Sequence, residues 1–161
     1  MIKTIAAACA AMTLAAAPAH ADKPHADKDI ADGGLIAAKS AHDFDTTVEK
    51  LKAAIDKRGF TTFAVIDHAK GAASVGETLR PTTLIIFGNP RGGAPVMQAE
   101  QRMGLALPLK MLAAEDETGA TRLYYANMAQ VFADHGISDV TGPLGMMEGA
   151  LAAIAAEASA P

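Results

Sequence analysis

Residues 81–110 read PTTLIIFGNPRGGAPVMQAEQRMGLALPLK. Thr82 to Phe87 is a continuous apolar and β-branched run, the pattern of a strand buried on both faces. Gly88-Asn89-Pro90 stops it, because an asparagine before proline is pushed out of the helical region and glycine permits an unusual turn. Arg91-Gly92-Gly93-Ala94 then reads as a loop, and Pro95 suits the first position of a short helix running to Met103. Gly104 ends that helix. Leu105 to Ala114 is a further strand, with Leu107, Leu109, Met111 and Ala113 on one face and Pro108 near its start.

Elements extend outward in both directions. Downstream, Glu115-Asp116-Glu117-Thr118-Gly119 is a polar hairpin loop, and Ala120 to Ala126 returns with Leu123 and Tyr125 sharing a face. Asn127 caps a helix whose apolar face is Met128, Val131 and Phe132, ending before Gly136. A last helix spans about Pro143 to Glu157, with Leu144, Met147, Leu151 and Ile154 as its stripe. Gly145, Gly149 and Ala153 form a small-residue track suited to packing close to a neighbour. Upstream, Phe60 to His68 is apolar on both faces, which predicts a central strand, and residues 69–76 form a short helical turn or a loop. Leu35 to Phe44 predicts a strand with Ile36, Ala38 and Phe44 on one face. Asp45-Thr46-Thr47 opens a helix in which Thr46 and Glu49 have capping-box spacing. Val48, Leu51 and Ile55 make its apolar face, Lys57-Arg58 favour its negative end, and Gly59 supplies the left-handed position beyond it. The order is β-α-β-β-α-β-β-α-α.

The chain has 161 residues, half of them apolar, which suits one domain over residues 35–158. Residues 1–21 have the layout of a signal peptide: Lys3, an apolar run from Ile5 to Ala17, and a small-x-small pattern ending at Ala21. The apolar run is too short and alanine-rich for a transmembrane anchor. Cys9 lies inside that run, where a lipoprotein cleavage site should not be. Cleavage predicts a periplasmic or secreted protein without cysteine, stabilised by its core rather than by disulfides. Residues 22–34 then form a polar flexible leader. Its His25 is fourth from the new N-terminus, whereas an amino-terminal copper motif needs the third position. Without Lys3, 13 basic side chains face 18 acidic ones, and aromatics are 4% of the chain. That balance argues against nucleic-acid partners, and the lack of a basic run argues against a membrane partner.

Several blocks together resemble a known family. They are Val65-Ile66-Asp67-His68, then Leu79-Arg80-Pro81-Thr82-Thr83-Leu84, then Ile86-Phe87-Gly88-Asn89-Pro90, then Leu107-Pro108-Leu109-Lys110. Glu115-Asp116, the tyrosines of the return strand and His135-Gly136 fit as well. The chain resembles family 302 of the domains of unknown function over about residues 38–137, with the Pro143–Glu157 helix beyond the usual core. The resemblance implies an α+β fold, similar to the TATA-binding-protein-like group, with a mainly antiparallel sheet packed against helices. It also implies a homodimer, and it implies no activity.

Chemistry has few carriers. Ser40, Ser74, Ser138 and Ser159 lack a nucleophile context such as G-x-S-x-G. Gly88 to Gly93 lacks the spacing of a P-loop or dinucleotide fingerprint. No cofactor is predicted. Six methionines and four histidines beyond the signal segment can in principle hold copper or haem iron. Met97, Met103, Met111 and Met128 fall on apolar faces, however, where core filling is the simpler role. The remaining constellation is polar groups at strand ends: His68, Arg80, Asn89, Lys110 and Glu115. If the strands ending at His68 and Phe87 are neighbours, some of these groups converge at one rim and bind a small polar ligand. The competing reading has Asn89 holding its turn and Lys110 pairing with Glu115. Three functions stand open: a binding module, a homodimeric interaction module, and an enzyme using His68 as acid/base. The export reading predicts that protein recovered from the periplasm or medium begins at Asp22; N-terminal sequencing that starts at Met1 overturns it.

Overall fold

The computed structural model describes residues 30–31, 34–137 and 141–161. The predicted signal segment, Cys9, His25, Ser138 and nearly all of the predicted leader lie outside these residues. The elements are β1 (Ile30–Ala31), β2 (Leu35–Lys39), α1 (Phe44–Lys57), β3 (Thr61–Asp67), α2 (His68–Ala73) and β4 (Thr82–Gly88). They continue with α3 (Pro90–Ala99), a 3-10 helix (Gln101–Leu105), β5 (Leu109–Glu115), β6 (Thr121–Ala126), α4 (Met128–Asp134) and α5 (Thr141–Ser159). The strands form one sheet in the order β1-β2-β6-β5-β4-β3, and every neighbouring pair is antiparallel. This is the α+β architecture expected.

One face of the sheet carries the core. Ile85 and Phe87 of β4, Met111 and Ala113 of β5, and Leu123 and Tyr125 of β6 are buried there. Against them pack Leu51 and Ile55 of α1, Phe132 of α4, and Leu151 and Ile154 of α5. Each fully buried side chain of this size contributes roughly 1.5–3 kcal/mol. The opposite face, with Leu84, Ile86, Leu112 and Tyr124, is only half-buried. The apolar run of β4 therefore alternates, rather than being buried on both sides, because the helices cover a single face.

Local chemistry moves several boundaries. The strand predicted to reach Phe44 ends at Lys39, because Asp43 caps α1 and Phe44 is its first residue. The Asp43 carboxylate accepts the Thr46 backbone N–H at 2.8 Å. The predicted box of Thr46 and Glu49 is thus displaced, and Glu49 pairs with Lys52 at 2.9 Å. Gly59 has φ +70° and ends α1 as expected. β3 is an edge strand, not a central one, and Phe63, Val65 and Ile66 are exposed. Its doubly apolar sequence reflects that edge rather than double burial. Asn89 caps α3 and Pro90, not Pro95, takes the first position. The residues 91–94 predicted as a loop are the first turn of this helix. The small-residue track of α5 faces away from the core, since Gly145, Gly149 and Ala153 are exposed while Met147, Leu151 and Ile154 face inward.

Helix α5 is fastened at its end. Glu157 bridges Lys57 at 2.8 Å and Arg58 at 2.6 Å. The Ala41 N–H donates to the Ser159 carbonyl at 2.9 Å, and the Ala160 carbonyl lies 2.6 Å from His42 Nε2.

Four carboxyl groups sit in such contacts. Side-chain hydrogen bonds from Arg102 hold Glu100 down to about 2. Thr118 and Arg122 hold Asp116 well below the usual carboxylate range. Lys57 and Arg58 lower Glu157, and the Thr46 backbone N–H lowers Asp43. The unfolded chain therefore binds more protons in acid than the folded one. The stabilisation is complete above the unfolded glutamate value of 4.5 and is lost as pH falls toward about 2. Urea unfolding midpoints should stay level from pH 7 to about pH 5 and then drop steadily, with a shallower drop in Glu100→Gln.

Candidate functional site

A concavity lies where β4 ends. Asn89, with extended backbone, turns the chain into α3, and its side-chain oxygen accepts the Arg91 N–H at 3.0 Å. The Gly92 and Gly93 N–H groups both reach the Asn89 carbonyl, at 3.0 and 3.2 Å. Gly88 is required here by close approach rather than by an unusual φ. A Cβ on it would lie 3.2 Å from the Phe63 ring and 3.3 Å from Pro108 Cβ. The chain returns through the 3-10 helix to a cis Leu107-Pro108 peptide. Lys110 fastens this return: its ammonium donates to the Ala106 carbonyl at 2.6 Å and the Pro108 carbonyl at 3.1 Å. Partial burial pushes its pKa down.

These segments enclose a pocket of about 590 Å³, within the range of small-molecule sites. Its walls are Phe60 and Phe63, Leu107, Pro108 and Leu109, and the start of α3 from Gly88 to Gly93. Met97 and Gly104 close one side, and Pro143, Met146 and Met147 of α5 close the other. The lining is overwhelmingly apolar. Asn89 supplies an amide and Arg91 a guanidinium; among the described residues, none of the lining is acidic. Phe63 is 54% exposed and Met146 63%, so both stand at the mouth rather than in the core.

The five polar residues predicted from sequence do not meet. In the antiparallel register, Asp67 faces Thr83, Thr82 faces Ala114, and Thr61 faces Gly88. His68, Arg80 and Glu115 therefore share one end of the sheet, while Asn89 and Lys110 lie at the other. The separation is one length of β4, about 20 Å at roughly 3.3 Å per residue. His68 is the exposed first residue of α2, capped by Asp67, whose carboxylate accepts the Lys70 N–H at 2.8 Å. Arg80 donates from Nε to the Glu115 carbonyl at 3.1 Å. Lys110 does not pair with Glu115; it braces the pocket wall. Asn89 is the one predicted site residue that lines the pocket.

Sequence reading missed the aromatic and methionine walls. Met103, Met111 and Met128 are core residues as expected, but Met97 lies at the pocket. Its partners Met146 and Met147 come from a helix far along the chain. The available signal was a glycine-rich turn after a buried strand, together with Met146 outside the apolar stripe of the last helix. Among the described residues, no three His, Cys, Asp or Glu side chains cluster as metal ligands.

The profile "Domain of unknown function DUF302" matches residues 36–154. The match reaches well into α5, so that helix lies within the family region rather than beyond it. Curated relatives include a fluoride-specific ion channel, FluC 1, from Brucella suis and another from Brucella abortus. Each is 42% identical over 90 residues, which are 56% of this chain and 35% and 33% of those proteins. The chain thus spans about a third of the curated relatives it matches. Among solved structures, an uncharacterized conserved DUF302 protein from Bacillus stearothermophilus superposes with TM-score 0.72. Its sequence identity is 16%, over 78% of this chain and 98% of that one, a likeness of fold.

Two substitutions separate the pocket from the opposite rim. Gly88→Ala should destabilise by roughly 1–3 kcal/mol, because the ring of Phe63 and Pro108 must shift to admit a methyl group. His68→Ala should change stability by less than about 0.5 kcal/mol, as an exposed side chain away from packing does. Urea denaturation of both variants checks this pair.

Proposed function

The chain belongs to the DUF302 family, a domain of unknown function, and we propose that it is a small exported binding module whose site is the apolar pocket between β4, α3 and α5. The pocket itself carries this reading. A 590 Å³ concavity walled by aromatic, proline, leucine and methionine side chains suits a ligand with a large apolar surface. A wholly polar ligand at a His68 rim has less support, since His68 and Asn89 stand at opposite ends of the sheet. An acid/base role for His68 has none from the pocket, which lies away from it.

The fluoride-channel names of the relatives belong to those proteins. Among the described residues here, no helix is long and apolar enough to cross a membrane. A segment resembling this chain within larger proteins supports an accessory role of binding or contact better than transport by the segment itself.

A second reading keeps the interaction module. β3 is an edge strand whose backbone is unpaired on one side, and it exposes Phe63, Val65 and Ile66. Such an edge invites pairing with a second copy. This supports a homodimer formed along β3, which leaves the pocket's α5 wall free.

Native mass spectrometry of protein purified from its own host tests both readings at once. The binding reading expects a retained small molecule that Gly93→Leu loses, because a side chain at Gly93 enters between Met97 and Leu107. The interaction reading expects a dimer carrying nothing. A bare monomer from the host sinks both.

A further inference from the structure

We infer that the pocket takes a single-chain amphiphile with an anionic head, its tail among Phe63, Leu107 and the methionines and its carboxylate on Arg91. This deepens the binding reading proposed above and rests on it.

The arginines of the chain provide the contrast. Arg58 is paired with Glu157, Arg102 with Glu100 and Arg122 with Asp116. Arg80 is held by the Glu115 carbonyl. Among the described residues, the Arg91 guanidinium alone has neither an ion pair nor a hydrogen bond to the protein. Among the described residues it is also the single charged one lining the pocket. An unpaired guanidinium beside an apolar wall offers a planar fork that matches a carboxylate. Among the described residues, the lining holds no carboxylate to attract a cationic head or repel an anionic one. The positive end of α3 lies on the same side and adds in the same direction.

The rest of the pocket selects the tail. Beyond Asn89, whose side-chain oxygen already accepts the Arg91 N–H, the lining has few groups that can satisfy a polar ligand. A sugar or nucleotide would leave buried hydroxyls unmatched, whereas an alkyl chain leaves nothing unmatched. Met97, Met146 and Met147 are unbranched and adaptable, which suits a chain without fixed shape better than a rigid ring.

Displacement of the neutral dye N-phenyl-naphthylamine from the purified full chain tests the inference. Dodecanoate, dodecyltrimethylammonium and butyrate serve as competitors, all below micelle-forming concentrations. Dodecanoate should displace the dye about tenfold more effectively than the ammonium amphiphile, and butyrate hardly at all. Arg91→Glu, an exposed change that leaves the core intact, should keep dye binding and reverse the preference. Equal displacement by both long chains, or an unchanged preference in Arg91→Glu, overturns the anionic head while leaving the binding reading standing. Failure of folded wild-type protein to bind the dye overturns both. Dye binding that rises on dilution, without displacement by dodecanoate, assigns the pocket to a second copy and overturns the inference.

Discussion

The alternation of β4 organises this domain. Thr83, Ile85 and Phe87 point into the helices, and the residues between them point away. Because β4 pairs with β3 on one side and β5 on the other, its pleat fixes which side chains of both neighbours face the core. A slip of one residue would expose Phe87 and bury Thr82. Phe87 is further fixed by an edge-to-face contact with Phe60, with ring centroids 5.6 Å apart at 80°. Gly88 follows directly, so the same register that builds the core also decides where the pocket begins.

Most of the elements were legible because their signals are local. Asn127 before an apolar face, Gly59 after Lys57-Arg58, and the polar turn at Asp116–Gly119 act within a few residues of themselves. The misplaced boundaries came from competition between equally good local signals. Asp43 and Thr46 both suit an N-cap, and burial of Thr47 against Ser40, whose hydroxyls lie 2.7 Å apart, favours the earlier one. Pro90 and Pro95 both suit a first helical position, and the Asn89 side chain selects the former. Strand β3 misled for a different reason. Apolar residues on both faces occur at an exposed edge as well as in the middle of a sheet.

The site was legible only in part, and geometry explains the limit. Polar residues at strand ends can be read from the sequence, but which ends coincide depends on whether neighbouring strands run parallel or antiparallel. Antiparallel pairing sent His68 and Asn89 to opposite poles. The pocket walls are spread over nearly ninety positions, from Phe60 to Met147, and no spacing links them. Lys110 illustrates the same limit. Its charge suggested a ligand contact, whereas its position two residues past Pro108 turns it back onto the wall it braces.

The knot between the end of α5 and the entry to α1 has an architectural consequence. Ala41 and His42 hold Ser159 and Ala160, while Glu157 straddles Lys57 and Arg58 at the other end of α1. The described chain therefore behaves almost as a closed ring, its tail returned to within one short strand of its head. A ring of this kind can be spliced onto another polypeptide at either extremity without opening its interior. That is the geometry of a portable cassette, and a 90-residue stretch similar to part of this chain does lie within much longer proteins.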